Sequence, residues 1–319
     1  MCVAGPQLPW WKEASGGRSP YHPGGAMRTM EEGQFYVHLG IPTGFRVDTK
    51  PSETLERMAE QLEAINSSLL APWQKLNAVT TFILPQIHFI LRGSYVHKGV
   101  LKVLGLRIKK LAKQWLNIPQ RASPGIMPLQ DLVVVATIVQ AYRMLTAGDV
   151  LVRRIAEGQL RCVVARKIGR ANPTDDEVAE YLSGSLERDF ARDGDDIRSL
   201  WSRARTATRR LNIDHRVVWR HDAVRGELNI HTEGRSRTII SPTSRRLLEG
   251  TLKAALRRDY ADRLKAKPDQ GKVFRASSLW LSSCHFVRTG FATWFCDWRF
   301  IHRVRLNCVL LNATRRFRS

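Results

Sequence analysis

Cysteine is scarce in this sequence, with five residues in 319 and no Cys-x-x-Cys pair. The five are Cys2, Cys162, Cys284, Cys296 and Cys308. Small secreted proteins held by disulfides use cysteine far more densely, and structural zinc sites need closely spaced pairs. The pattern predicts neither a disulfide framework nor a zinc site, and it favours reduced thiols inside the cell.

Long apolar runs are also lacking. No stretch approaches the roughly 18 apolar residues that a membrane-spanning helix needs. The first residues, from Met1 to Arg28, lack the apolar segment that is typical of a secretory signal. We therefore expect a protein of the nucleus or the cytoplasm, without a membrane partner.

Acidic residues are few compared with basic ones, since 29 Asp and Glu stand against 51 Lys and Arg, which gives a net charge of +22. This excess is far larger than solubility requires. The basic residues are spread over many segments and are not concentrated on one amphipathic helix, which favours a phosphate backbone over an anionic membrane surface. RNA and DNA both satisfy this expectation.

The hydrophobic content of 43% is enough for a sizeable core, and the patterning predicts a mainly α fold with a few short strands. Residues 1–32 are rich in Gly and Pro and predict a loose lead-in. Residues 34–41 predict a strand followed by a turn at Gly40 and Pro42, with a second short strand around residues 45–47. A small meander is expected near residues 215–240. Helices are predicted from 52, over 72–91 with a bend at Pro85, and over 98–116, 129–146, 149–168, 175–183, 197–211 and 243–264.

The predicted helix at 98–116 has an apolar face and a basic remainder. The apolar face carries Leu101, Leu104, Ile108, Leu111 and Trp115. Lysines lie largely off that face, at Lys102, Lys109, Lys110 and Lys113. Two interpretations are about equally supported: a solvated helix face, which is the usual fate of a charge run, and a contact with nucleic acid.

Three stretches resemble a known family: FYVHLGIPTGFRV from residue 35, SLLAPWQKLNAVTTFILPQIHFILRG from 68 and KQWLNIPQRAS from 113. In this order they are similar to the palm-to-thumb passage of non-LTR retrotransposon reverse transcriptases, especially the lineage that inserts into ribosomal DNA. The similarity continues through QAYRMLT at 140–146, KPDQGKVF at 267–274 and WRFIHRVRLNCVLLN at 298–312.

The resemblance implies a domain order. Residues 33–50 would end the palm, 51–125 would form a helical thumb, and 126–319 would form a helical linker that precedes a zinc knuckle and an endonuclease. The primer-grip-like strand would end at Leu39 and Gly40, where the family more often has Tyr in place of His38.

The resemblance also implies a partner, the template–primer duplex of RNA and DNA. The residues expected to contact its phosphates are Lys102, Arg107, Lys109, Lys110, Lys113 and Arg121. Residues 269–272 (Asp-Gln-Gly-Lys) resemble a family signature in a loop. Lys272 in this loop and its neighbour Arg275 are candidates for a further contact, although a tight structural turn is at least as well supported.

Catalysis in this family needs palm carboxylates that hold two Mg²⁺ ions, with a central pair in an aromatic-Ala-Asp-Asp hairpin. That hairpin should precede residue 33, but the acidic residues before Gln34 are only Glu13, Glu31 and Glu32. We expect no catalytic residue, no metal, no cofactor and no small-molecule substrate for this chain by itself.

The tripeptide Gly194-Asp195-Asp196 resembles a polymerase motif but lacks apolar strands on either side. It is better interpreted as a turn and helix cap. Residues 175–177 (Asp-Asp-Glu), behind Thr174, are similarly interpreted as acids in the first turn of a helix.

Aromatic residues and arginines alternate over residues 286–306, which permits base stacking, although burial in a core is the usual fate of such a pattern. The expected function is that of a reverse-transcriptase fragment that binds template–primer without polymerase or endonuclease residues. The alternatives are a fragment active only when the palm is supplied in trans, and a pseudogene product without function.

Overall fold

The computed structural model describes residues 35–38, 41–44, 52–87, 98–118, 126–191, 197, 199–215, 217–233, 237–278, 294–305 and 309. The chain divides into two compact units, Met1–Thr49 and Lys50–Ser319. The described part is mainly α-helical with two small antiparallel sheets, which confirms the predicted fold class. The finer division into palm, thumb and linker stays a prediction.

The first unit contains a two-stranded antiparallel sheet of β1 (Phe35–His38) and β2 (Ile41–Gly44). The second strand was predicted later, at residues 45–47, which lie outside the described residues. Pro42 was predicted in the turn, but it lies within β2 opposite Val37. An edge strand tolerates proline, because its N–H groups need not all take part in the ladder.

Up to residue 265, the helices of the second unit follow the predicted positions closely, whereas the two helices beyond it were not predicted. They are α1 (Ser52–Ser67), α2 (Pro72–Ala78), α3 (Lys98–Leu116), α4 (Leu129–Leu145), α5 (Val150–Ile168), α6 (Asp175–Ser183), α7 (Leu200–His215), α8 (Leu248–Lys265), α9 (Pro268–Ser278) and α10 (Phe295–Arg305). A three-stranded antiparallel sheet, in the order β3 (Val217–Asp222), β4 (Glu227–Glu233), β5 (Arg237–Ile240), lies between α7 and α8 in the chain and confirms the predicted meander.

The bend predicted at Pro85 begins earlier than that residue. A π-helical turn over Val79–Ile83 follows α2, and the backbone N–H of Leu84 donates to the carbonyl of Val79. Proline lacks an N–H and its ring clashes with the carbonyl four residues back, so the helix widens in the turn before it. Val79 and Ile83 are nevertheless completely buried, and the irregular turn still contributes to the core.

Two hydrophobic clusters share helix α4. One cluster joins it to α1, the π-turn and α3, with Met58, Leu62 and Ile108 almost fully buried. The other joins α4 to α5, α6, α7, the sheet and α8 around Tyr142, Trp201 and Trp219. Since both faces of α4 are occupied by core contacts, this helix links the two halves of the second unit.

Two large aromatic residues of the second cluster, Trp219 and Tyr142, have hydrogen-bonded polar atoms. The indole N–H of Trp219 donates to the hydroxyl of Thr208 at 3.0 Å, and the hydroxyl of Tyr142 donates to the carbonyl of Ile240 at 3.0 Å. Burial, and then the negative charge of Glu227, raise the pKa of Tyr142 well above its usual value. These bonds fix the sheet against α4 and α7 without leaving the buried donors unsatisfied.

The start of α6 confirms the interpretation of residues 175–177. Thr174 caps the helix by accepting from the backbone N–H of Glu177 at 3.2 Å, and the Glu177 carboxylate accepts from the backbone N–H of Thr174 at 2.8 Å. This backbone bond, together with the nearby guanidinium of Arg170, holds the pKa of Glu177 below its usual value. These acidic residues therefore stabilise the amino-terminal end of the helix, where Thr174 and Glu177 form a capping box.

The loop predicted at residues 269–272 was wrong, because these residues lie within helix α9. Pro268 is its first residue, a position where the missing N–H costs nothing. Gly271 is buried, and a β-carbon built there would lie 2.2 Å from the carbonyl oxygen of Lys265. The glycine therefore permits a tight corner between α8 and α9.

Asp131, near the start of α4, is a buried carboxylate with two partners. Its oxygens accept from Nη2 of Arg210 at 2.8 Å and from the hydroxyl of Tyr260, so α4 is tied to α7 and α8. Burial, followed by the bond to Asp131, raises the pKa of the Tyr260 hydroxyl above its usual value.

We expect Asp131→Ala to lower the free energy of unfolding by about 2 kcal/mol, because the half-buried hydroxyl of Tyr260 loses its acceptor and Arg210 loses its partner. The cost stays below that of breaking a fully buried ion pair, since Arg210 is half-exposed and water replaces its partner. Urea unfolding measures the effect, and the exposed Asp262→Ala is the control, with an expected change below about 0.5 kcal/mol. Equal changes in the two variants would contradict a bridging role for Asp131.

In the part of the chain that the structure describes, no single helix is both long and apolar enough to span a bilayer. Helices α4 and α5 meet the criteria of length and composition only when taken together, and they are bent by 117° relative to each other.

Candidate nucleic-acid interface

Helix α3 contains six basic residues and no acidic residue. Its predicted apolar face is confirmed, since Leu101, Leu104, Ile108, Leu111 and Trp115 are all buried. The remaining surface of the helix carries these basic residues together with the exposed apolar residues Val100, Val103 and Leu106.

Three of these residues, Lys102, Lys109 and Lys113, share one side of the helix, because they are separated by seven and four residues. We call them the lysine ridge. The spacing corresponds to about 10 Å and about 6 Å along the helix axis. Lys102 is exposed, and the other two are half-buried at the edge of the packed face. Three cations in line on a rigid helix can contact successive phosphate groups as point charges.

The opposite side of α3 has a different electrostatic character, because helix α1 packs there. Arg107 donates from Nη2 to Oε1 of Glu63 at 2.6 Å, and the indole of Trp115 donates to the side chain of Asn66 at 2.8 Å. The exposed face of α1 adds further acids at Glu53, Glu56 and Glu60. The acidic residues of α1 outnumber its one arginine, Arg57, so the electrostatic potential is more negative on the Arg107 side than on the side of the lysine ridge.

The ridge is bordered on its inner side by the entry into α4. A β-carbon at Gly105 would lie 3.6 Å from the side chain of Leu129, and Lys109 lines a small groove together with Ile126 and Met127. This contact fixes the ridge relative to α4. Beyond the ridge, Lys110 points outward beside the exposed Val103 and Leu106.

The structure groups only some of the residues that the sequence proposed. The lysine ridge and Lys110 lie together, whereas Arg107 lies in the ion pair with Glu63. Arg121, Leu39 and Gly40 lie outside the described residues. Lys272 and Arg275 are exposed on helix α9 and not in a loop, and Arg275 donates from Nε to the carbonyl of Gly271 at 3.4 Å.

The sequence interpretation placed the aromatics of residues 286–306 in a core, and this was wrong for two of them. Trp294 is 79% exposed and Phe300 is 55% exposed. Contacts with distant parts of the chain decide which side of such a helix is covered. The alternation of aromatics and arginines in the sequence therefore could not distinguish buried aromatic side chains from exposed ones. On the covered side, Ile301 packs against Leu116 and Ile118.

The family's two-metal chemistry requires several carboxylates that converge on one point. Among the described residues, no three His, Cys, Asp or Glu side chains are grouped so that they could hold a metal ion.

A polar cleft of about 630 Å³ lies between α5, α6 and the turn that joins β3 to β4. Arg153 and Arg225 line it together with Glu157 and Glu227. Positive and negative groups are mixed along its walls, so the cleft does not select an anion as the lysine ridge does.

No protein-family model matches the chain. The chain is similar to an uncharacterized protein of Caenorhabditis elegans, with 22% identity over 310 residues that cover 91% of this chain and 88% of the worm protein.

Proposed function

We propose that this chain is a fragment of a non-LTR retrotransposon reverse transcriptase and that it binds a template–primer duplex of RNA and DNA through the lysine ridge of α3. The observation that carries the proposal is the segregation of charge around this helix. Lysines occupy one side, and the acidic face of α1 lies on the other. The net charge of +22 supports a polyanionic partner of this kind.

The proposed contact is electrostatic and independent of base sequence. Lysine ammonium groups position a phosphate backbone, and they carry no direct information about the bases. We also propose that the protein is localised in the nucleus or the cytoplasm, where such a duplex would be present. The chain contributes positioning of the nucleic acid, and no polymerase step is assigned to it.

We expect the variant with Lys102→Gln, Lys109→Gln and Lys113→Gln to bind a 20-base-pair RNA–DNA hybrid on the order of 100-fold more weakly at 0.1 M salt, because three phosphate contacts are lost. Fluorescence anisotropy with a labelled hybrid measures the change. Glutamine retains the helix propensity of lysine, so the fold is preserved.

A matched control removes the same number of charges elsewhere. Arg154, Arg257 and Arg258 are exposed on helices α5 and α8. Their joint replacement by glutamine lowers the net charge equally, and we expect a loss of affinity below about 5-fold, from long-range electrostatics alone. Equal losses in the two variants would show that only total charge matters, and the proposed interface on α3 would be wrong.

A further inference from the structure

Helix α10 exposes an apolar strip on a basic background. Phe300 lies one turn from Cys296 and one turn from Val304, and all three are exposed. Trp294 precedes the helix and is 79% exposed. Large aromatics are among the residues that gain most from burial, so their exposure on a helix that packs on its other side indicates a ligand surface.

The charges beside this strip favour a phosphate-bearing ligand. Arg299 is exposed next to Phe300, and Arg303 follows one turn later. Within the described part of the chain, Nε of Arg303 is a buried donor without a hydrogen-bond partner. The burial of Nε leaves contact with a ligand to the accessible part of this half-buried side chain, beside the exposed Arg299.

The position of α10 relative to α3 gives the strip a geometric role. Ile301 packs against Leu116 and Ile118, which follow Lys113 by three and five residues. The exposed aromatics therefore lie at the carboxyl-terminal end of the lysine ridge. A strand held along the ridge continues toward Trp294 and Phe300 when it extends past the end of a duplex.

We propose that Trp294 and Phe300 stack on unpaired bases of a single-stranded overhang that continues from the duplex on the lysine ridge, with Arg299 and Arg303 contacting its phosphates. Aromatic rings accept any base, and arginines beside them hold the backbone, which is how single strands are bound without sequence preference. This inference rests on the proposed function, and it adds the requirement for an unpaired segment.

The test compares a blunt RNA–DNA hybrid with the same hybrid carrying a six-nucleotide overhang, in RNA and in DNA versions, by fluorescence anisotropy on the full chain. We expect the overhang to improve the affinity of the wild-type chain about 10-fold or more. The variant Trp294→Ala with Phe300→Ala is expected to lose this improvement while its affinity for the blunt hybrid stays the same.

Two further variants separate stacking from general surface effects. Trp294→Phe with Phe300→Tyr keeps two aromatic rings, and we expect it to retain most of the preference for the overhang. Phe82 is 65% exposed on the π-turn, and Phe82→Ala is expected to change nothing.

The outcomes distinguish this inference from the proposed function. If the wild-type chain bound neither the blunt hybrid nor the hybrid with an overhang, both the proposed function and the stacking proposal would be overturned. Tight binding of the blunt hybrid with no gain from the overhang would overturn only the stacking proposal. A third outcome is that the wild-type chain shows no preference for the overhang but self-associates in sedimentation experiments, and that the double alanine variant does not. This result would assign the apolar strip to a contact with a second copy of the chain and would overturn the stacking proposal.

Discussion

Gly184→Ala is expected to lower the free energy of unfolding by about 3 to 5 kcal/mol, because backbone strain and a close contact act at the same residue. Gly184 ends helix α6 in the left-handed region with φ of +83°. Its β-carbon would lie 2.9 Å from Cα of Arg209 and 3.0 Å from the backbone nitrogen of the same residue. Both the backbone of Gly184 and the packing of α6 on α7 would have to shift.

Variants of two other glycines separate the contribution of backbone strain from that of the close contact. Gly226 also has a positive φ, of +63°, but a β-carbon there meets nothing within 4 Å, so Gly226→Ala should cost only about 1 to 2 kcal/mol of backbone strain. Gly148 has neither feature, and Gly148→Ala should be close to neutral. Urea unfolding of the three variants measures the series. If Gly184→Ala lowered the free energy of unfolding no more than Gly226→Ala does, the close approach of α6 to α7 would be refuted.

Gly271→Ala is expected to produce the second large effect, a loss of about 3 kcal/mol that is concentrated in α9 and the helix that packs on it, α10. The added methyl group would meet backbone atoms, at 2.2 Å from the oxygen and 2.7 Å from the carbon of the Lys265 carbonyl, and these cannot move aside as a flexible side chain can. The corner between α8 and α9 would therefore open.

Hydrogen exchange followed by mass spectrometry localises this effect, with faster exchange expected in residues 268–278 and unchanged exchange in α4. The control is Gly250→Ala in helix α8, where a β-carbon meets nothing within 4 Å. Alanine is the better helix former there, and we expect a gain of about 0.5 to 1 kcal/mol. Normal protection of α9 in Gly271→Ala would show that the corner has more space than the structure indicates.

The helices were predictable from the sequence because burial follows helical periodicity. In α3 the spacing of Leu101, Leu104 and Ile108 predicted both the bounds of the helix and its buried face. The start of α6 was also visible in the sequence, since Thr174 is a residue type with a known preference for the amino-terminal end of a helix.

Other features could not be predicted because they depend on contacts between distant parts of the chain. Arg107 and Glu63 are separated by 44 residues, and nothing local indicates that they pair. Residues 269–272 of helix α9 were interpreted as a loop because they resemble a family signature in a loop. The alternative signal, a proline at the first position of a helix, was present but weaker.

The candidate site was therefore predicted in part. Lys102, Lys109 and Lys113 could be predicted from the positive charge and the helical periodicity of one segment. Which side of α3 faces the acidic helix α1 could be seen only in the folded structure. The exposure of Trp294 and Phe300 could likewise not be predicted locally, because it depends on the packing of α10 through Ile301 against Leu116 and Ile118.

The central claim is that the lysine ridge contacts phosphates, and the salt dependence of hybrid binding tests it most directly. Dissociation constants for the RNA–DNA hybrid, measured from 50 to 300 mM salt, give the slope of log Kd against log salt concentration for the wild-type chain and for the Lys102, Lys109 and Lys113 variant. The account predicts a slope lower by about 3 in the variant, since each phosphate contact contributes about 0.9. An unchanged slope, with the hybrid bound as before, would contradict it.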